Sequence, residues 1–102
     1  MPRLPPVVEM ALFRIAQEAL TNVARHARAS EVVVTLETID TRARLTVADD
    51  GIGFNLDTLQ RQGKRVGWGI LTIRERAEAV SGRLELQSVP GKGTRVIIEV
   101  MR

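Results

Sequence analysis

Asp49-Asp50-Gly51-Ile52-Gly53-Phe54 sets two carboxylates and two glycines at the end of an apolar run. Glycine lets backbone and ligand approach closely, so a carboxylate here could meet a bound molecule. An ordinary Asp-Gly turn fits the same residues, but such a turn re-enters a strand at once, and here a long unpatterned stretch follows. Gly67-Trp68-Gly69 leads into a helical pattern. A glycine turn at a helix N-terminus offers free N–H groups and a favourable dipole to an anion; a flexible helix start would look the same. Gly91-Lys92-Gly93-Thr94 opens the last strand pattern and, taken alone, is a plain hairpin turn. Glu18, Asn22 and His26 fall at i, i+4 and i+8, a row along the border between an apolar stripe and a wet face. Taken alone, they are a stray charge, a surface amide and a helix-end imidazole. Two phosphate motifs are excluded. In a P-loop, Lys92 would be followed by Ser or Thr and position 86 would be glycine, but Gly93 and Leu86 stand there. A dinucleotide fingerprint would need glycine where Leu56 and Thr72 stand.

The elements that must position these residues follow from periodicity. Pro2, Pro5 and Pro6 keep the start extended and let a helix begin. From Val7 to Ala27 the apolar residues Leu12, Ile15, Ala16, Ala19, Leu20, Val23 and Ala27 recur at helical spacing, with Arg14, Gln17, Thr21 and Arg28 opposite. Glu31 to Ile39 and Arg42 to Ala48 alternate as strands around an Asp40-Thr41 turn, which predicts a hairpin. Regular pattern stops from Asp49 to Val66, and a loop of that length in a small domain is functional or disordered. A second helix is predicted from Trp68 to Val80, closed by Ser81-Gly82. Leu84 to Ser88 and Thr94 to Met101 are the last strands, joined by Pro90-Gly91-Lys92-Gly93. Helix, two strands, long loop, helix, two strands predict a two-layer α+β sandwich, helices on one face of a mixed sheet.

Composition narrows the classes. A chain of 102 residues makes one small domain, here expected to span residues 1–102. With no cysteine and one histidine there is neither a disulfide framework nor a thiolate or His-rich metal site. No apolar run is long enough to span a membrane, and residues 1–6 do not form a signal peptide, so a cytoplasmic domain without membrane contact is expected. The net charge of +3 is a slight basic excess, and the three aromatics are scattered, which does not fit a nucleic-acid surface. It suits an anionic small ligand.

Taken in order, the motifs resemble the ATPase superfamily of DNA gyrase, the Hsp90 chaperones, the MutL proteins and histidine kinases. Glu18-x-x-x-Asn22-x-x-x-His26 resembles its N box, Asp49-x-Gly51-x-Gly53 its G1 box, Gly67-Trp68-Gly69-Ile70 its G2 box, and Gly91-Lys92-Gly93-Thr94 the box that closes the fold. The stretches from Leu12 to Asn22 and from Ile73 to Ala77 are similar to the nitrate-sensor group of bacterial histidine kinases. The resemblance implies the Bergerat fold and an ATP-binding catalytic domain of a sensor kinase, with Mg²⁺ as second cofactor. Asn22 would be the metal ligand, an amide oxygen suiting a hard cation. Glu18 would position the metal shell or the acceptor histidine, and His26 would belong to the nucleotide-binding set. Asp49 would accept a hydrogen bond from the adenine amine, supported by Thr94 directly or through water. Gly51 and Gly53 would let the chain pass the base, Gly67 and Gly69 would bring helix N–H groups to the phosphates, and residues 54–66 would form a lid.

The implied partners are an acceptor-histidine dimerisation domain of the same kinase and a response regulator. The acceptor helix pair has no counterpart in these residues, and the strand that commonly precedes the first helix is not included. Trp68 stands where the group often has histidine. An anti-sigma-factor-like serine kinase and binding module of the same fold is the alternative; Arg74-Glu75-Arg76 favours the histidine kinase.

Overall fold

The computed structural model describes residues 4–53 and 70–101. The expected lid at 54–66, the Gly67-Trp68-Gly69 turn and the predicted helix start at Trp68 lie outside the described residues.

Helix α1 spans Pro6–Asn22. Proline at the first helical position loses no helical hydrogen bond, and its fixed φ suits the helix. The Pro5 carbonyl accepts from the Val8 and Glu9 N–H groups at 2.9 and 3.0 Å, and the Glu9 carboxylate lies in the first turn, where the dipole favours it. Val8, Leu12, Ile15 and Ala19 are buried on one face, while Arg14, Gln17 and Thr21 face solvent as the period predicts. Leu20, assigned to the stripe by the same period, is exposed at its edge. The helical run reaches Ala27 as expected, but Val23–Ala27 is a π turn, which fits an extra residue into the last turn. It ends at Arg28, in the left-handed region at φ 51°.

Strands β1 (Val32–Ile39), β2 (Arg42–Asp49), β3 (Arg83–Ser88) and β4 (Thr94–Met101) form one sheet in the order β1-β2-β4-β3. Helix α2 (Ile70–Glu78) lies between β2 and β3 in the chain. All three pairings are antiparallel, so among the described residues the sheet is antiparallel and not mixed. The reason is topological: β3 runs parallel to β2, but β4 lies between them, and every hydrogen-bonded neighbour runs the other way.

The core is the layer between helices and sheet. Pairs Ala43↔Val100, Leu45↔Ile98 and Val47↔Val96 line the covered face of β2 and β4, and Leu84 and Leu86 continue it onto β3. Ile15 from α1, Ile73 and Ala77 from α2, and Ile98 from β4 are fully buried. Each large aliphatic side chain so buried contributes roughly 1.5–3 kcal/mol relative to exposure. The predicted stop holds in position, although the helix ends at Glu78 and not at the expected Val80: Ser81 takes the left-handed conformation at φ 58°, and the Gly82 N–H donates to the Ala77 carbonyl at 2.7 Å. Gly82 is there for space, since a Cβ would stand 2.8 Å from the Val100 side chain.

The opposite face of the sheet mixes charged residues with exposed apolar ones such as Val33, Ile39 and Met101. Arg44, Glu99 and Arg83 share a row across β2, β4 and β3, with Glu99 bridged to Arg44 at 2.9 Å and to Arg42 at 3.4 Å.

Candidate functional site

The apolar rows of the covered sheet face end in a polar one. The register that pairs Val47 with Val96 next pairs Asp49 with Thr94, and Ser88 on β3 pairs with Thr94 from the other side. Two-residue periodicity keeps all three on the helix-facing side. Across from them α1 ends, and its last residue is Asn22. Asn22, Asp49 and Thr94 meet around one cavity, walled otherwise by Ala19, Val23, Val47 and Val96. Its volume is about 10 Å³, close to the space one water occupies. Asn22 and Thr94 are each only 6% exposed. Buried polar side chains in an apolar wall carry a desolvation cost unless they are hydrogen-bonded. Thr94 has a partner: its Oγ1 stands 2.8 Å from Ser88 Oγ. One Asp49 carboxylate oxygen accepts from the Gly51 N–H at 2.8 Å. Asp49, Ser88 and Thr94 also border an open hollow of about 280 Å³ flanked by Lys92 and Arg95.

The backbone that carries this row is tied together at glycines. A Cβ at Gly51 would fall on the Ala27 carbonyl, and one at Gly93 on the Asp49 carbonyl. Gly53 and Gly93 also have positive φ, 63° and 88°. The Ile52 N–H donates to the Ala27 carbonyl at 2.7 Å, and the Gly91 N–H to the Ile52 carbonyl at 2.6 Å. The end of the π turn, the turn after β2 and the β3–β4 turn are thus one knot of backbone. Asp50 fastens the remaining connection: one of its carboxylate oxygens accepts from the Ser30 and Glu31 N–H groups at 2.8 and 3.0 Å.

Of the residues singled out by sequence, the structure therefore brings Asn22, Asp49 and Thr94 to one cavity and sets Gly51 and Gly53 in the adjoining turn. Glu18 lies half-buried one turn before Asn22 on α1. His26 falls in the π turn, so the straight i, i+4, i+8 row expected of Glu18, Asn22 and His26 does not continue with α-helical geometry past Asn22; the His26 side chain lies outside the description. Gly67 and Gly69 lie outside the described residues. Sequence reasoning missed Ser88 and gave Asp50 no role apart from Asp49. For Ser88 the available signal was strand register, since it is the β3 residue opposite Thr94.

Among the described residues, no cluster of three His, Cys, Asp or Glu side chains could hold a metal. Oxygen donors are nevertheless present in Asn22 and Glu18, and Mg²⁺ is characteristically held by one or two protein oxygens plus phosphates and water. That donor chemistry fits the ion if a nucleotide supplies the phosphates.

Residues 7–102 match the family of histidine kinase-, DNA gyrase B- and HSP90-like ATPases, and the chain belongs to it. More particularly, it is of the histidine-kinase kind, the ATP-binding catalytic domain. It is 45% identical over 93 residues to the sensor histidine kinase LiaS of Bacillus subtilis, covering 91% of this chain and 25% of that protein. It is 42% identical over 100 residues to a sensor-like histidine kinase of Chloroflexus aurantiacus, covering 96% of this chain and 17% of that one. The chain thus spans a quarter or less of these two curated relatives. The fold is that of the histidine kinase domain from the blue-light activated kinase of Erythrobacter litoralis, with a TM-score of 0.76, 24% identity, and coverage of 96% of this chain and 46% of that one. Full-length ShkA, solved in complex with AMPPNP, superposes with a TM-score of 0.74 at 26% identity, over 90% of this chain and 21% of that one. The two-layer fold expected from sequence is therefore the Bergerat fold.

Proposed function

We propose that this domain holds Mg-ATP and donates its γ-phosphate to a histidine on a separate dimerisation domain of the same kinase, for relay to a response regulator. The observation that carries this is the meeting of Asn22, Asp49 and Thr94 at one cavity, because they come from three separate boxes of the sequence and are polar groups in an apolar wall. In this reading Asp49 accepts from the adenine amine and Thr94 supports it. Gly51 and Gly53 form the turn beside the base. Asn22 gives its amide oxygen to Mg²⁺, with Glu18 one turn away to order the metal's shell. When bound, the ion would neutralise phosphate charge. His26, Gly67 and Gly69 complete the nucleotide-binding set. The protein's own contribution to phosphoryl transfer is placement and charge stabilisation, which account for most of the catalysis in such reactions. The AMPPNP in the ShkA structure supports the ligand class; the sensor-kinase relatives support the acceptor class. Assignment to the nitrate-sensor group rests on the two stretches of sequence alone. Among the described residues no helix is long and apolar enough to cross a membrane.

The test is transfer in trans. The chain is mixed with a separately produced acceptor-helix segment of its kinase and with ATP labelled on the γ-phosphate. Label is expected on the segment, stable to alkali and lost in acid, and Asn22→Ala should abolish it. Acid-stable label on serine would favour the serine-kinase alternative. Label on His26 of the chain alone would overturn the assignment of roles.

A further inference from the structure

Ser88 is a polar residue beside the site that no motif contains. Its Oγ donates to the Gly93 carbonyl at 3.2 Å and stands 2.8 Å from Thr94 Oγ1. A serine hydroxyl has one proton, and a carbonyl oxygen has none to give. If the Ser88 proton goes to Gly93, the proton on the 2.8 Å line belongs to Thr94. Thr94 then donates outward to Ser88 and presents only lone pairs to the cavity. Asp49 beside it is a carboxylate, which accepts and does not donate, and one of its oxygens is already held by the Gly51 N–H.

We propose that Ser88 is a positioning residue for specificity: by taking the Thr94 proton it leaves the Asp49–Thr94 wall with acceptors alone, which suits a ring bearing an exocyclic amine and rejects one bearing a carbonyl oxygen at the same place. The inference rests on the adenine reading of Asp49 and Thr94. A bridging water carries the same message, because a water that gives both protons to Asp49 and Thr94 has only lone pairs left for the ligand. Ser88→Ala removes the acceptor of the Thr94 proton. That proton can then turn into the cavity and meet a carbonyl oxygen.

The experiment is calorimetric titration of the chain with ATP and with inosine triphosphate, whose ring carries a carbonyl oxygen in place of the amine. The native chain should prefer ATP. In Ser88→Ala, ATP should bind more weakly and inosine triphosphate more tightly, so that the preference falls about tenfold, and Ser88→Thr, which keeps the hydroxyl, should restore it. A residue that served only packing would weaken both ligands alike. Where the alanine chain does not fold, Ser88→Cys, close in size with a weak acceptor, should give an intermediate preference. If the native chain discriminates and the folded variant keeps the same ratio, the role of Ser88 is overturned and the adenine reading stands. If the native chain binds both equally, the adenine reading falls and the role of Ser88 with it.

Discussion

Gly93 and Gly91 lie two residues apart with nearly the same backbone, φ 88° and 80°, but their surroundings differ. A Cβ at Gly93 would collide with the Asp49 carbonyl, while nothing lies within 4 Å of one at Gly91. Strain at a positive φ costs about 1–3 kcal/mol for a non-glycine residue, and Gly93→Ala adds a clash that parts β4 from the turn after β2. Gly93→Ala should therefore destabilise the chain well beyond Gly91→Ala, and Gly91→Asn should cost least, since asparagine tolerates this region. Urea titration of the three variants tests the order; equal losses would show that conformation alone, and not close approach, requires Gly93. The same scale shows what the sequence could convey. Asn22, Asp49 and Thr94 were legible through the boxes they belong to and not through their types, since each alone fits a surface amide, a turn carboxylate or a hairpin threonine. Asp49 and Asp50 are chemically identical, and only strand parity sends one to the cavity and the other to the Ser30 and Glu31 amides. Ser88 at a strand end resembles any turn serine until β3 is set in register with β4.

At the scale of elements, strand limits were legible to within a residue because alternation stops where Asp40-Thr41 and Pro90-Gly91 turn the chain. The π turn was not legible: Val23 and Ala27 continue the apolar period of α1, and nothing in their types marks the change of winding. Helix stops were legible as positions but not in mechanism. After α2 the left-handed residue is Ser81 and not the adjacent glycine. An L-residue other than glycine is penalised there by about 1–2 kcal/mol, offset in part by the larger unfolded-state entropy of glycine. Ser81 is exposed, so Ser81→Gly should stabilise the chain by about 0.5 kcal/mol net, a rise in melting temperature of roughly 2–4 °C for a domain of this size. A melting temperature that falls would show that the serine side chain gives the cap more than its backbone strain removes.

For the whole molecule, the layers were legible in the order of elements, but the sheet order was not, because β2 pairs with β4 across some forty residues of chain that include α2 and β3. That one pairing builds both faces: on the helix side it sets Asp49 opposite Thr94, and on the far side it sets Arg44 opposite Glu99. The far side has its own thermodynamic signature. The hydrogen bond from Arg44 holds the Glu99 carboxyl below the usual carboxylate range; partial burial opposes this, and the charges of Arg42, Arg44 and Arg83 add to it. A carboxyl whose pKa is lower folded than unfolded binds fewer protons in the native state, so its contribution is full above the unfolded value and is lost as pH falls through the folded one. Glu99→Gln should therefore be less stable than the native chain at neutral pH, and the gap should close as the solution is acidified through and below the ordinary carboxylate range. Added salt should shrink the gap at neutral pH, because these side chains are partly exposed and their attraction is screened. Denaturant titrations of both chains at several pH values measure this. A gap that stays constant from neutral to acid pH would mean that Glu99 joins β2 to β4 by packing and neutral hydrogen bonds, and that its charge does not contribute to the fold.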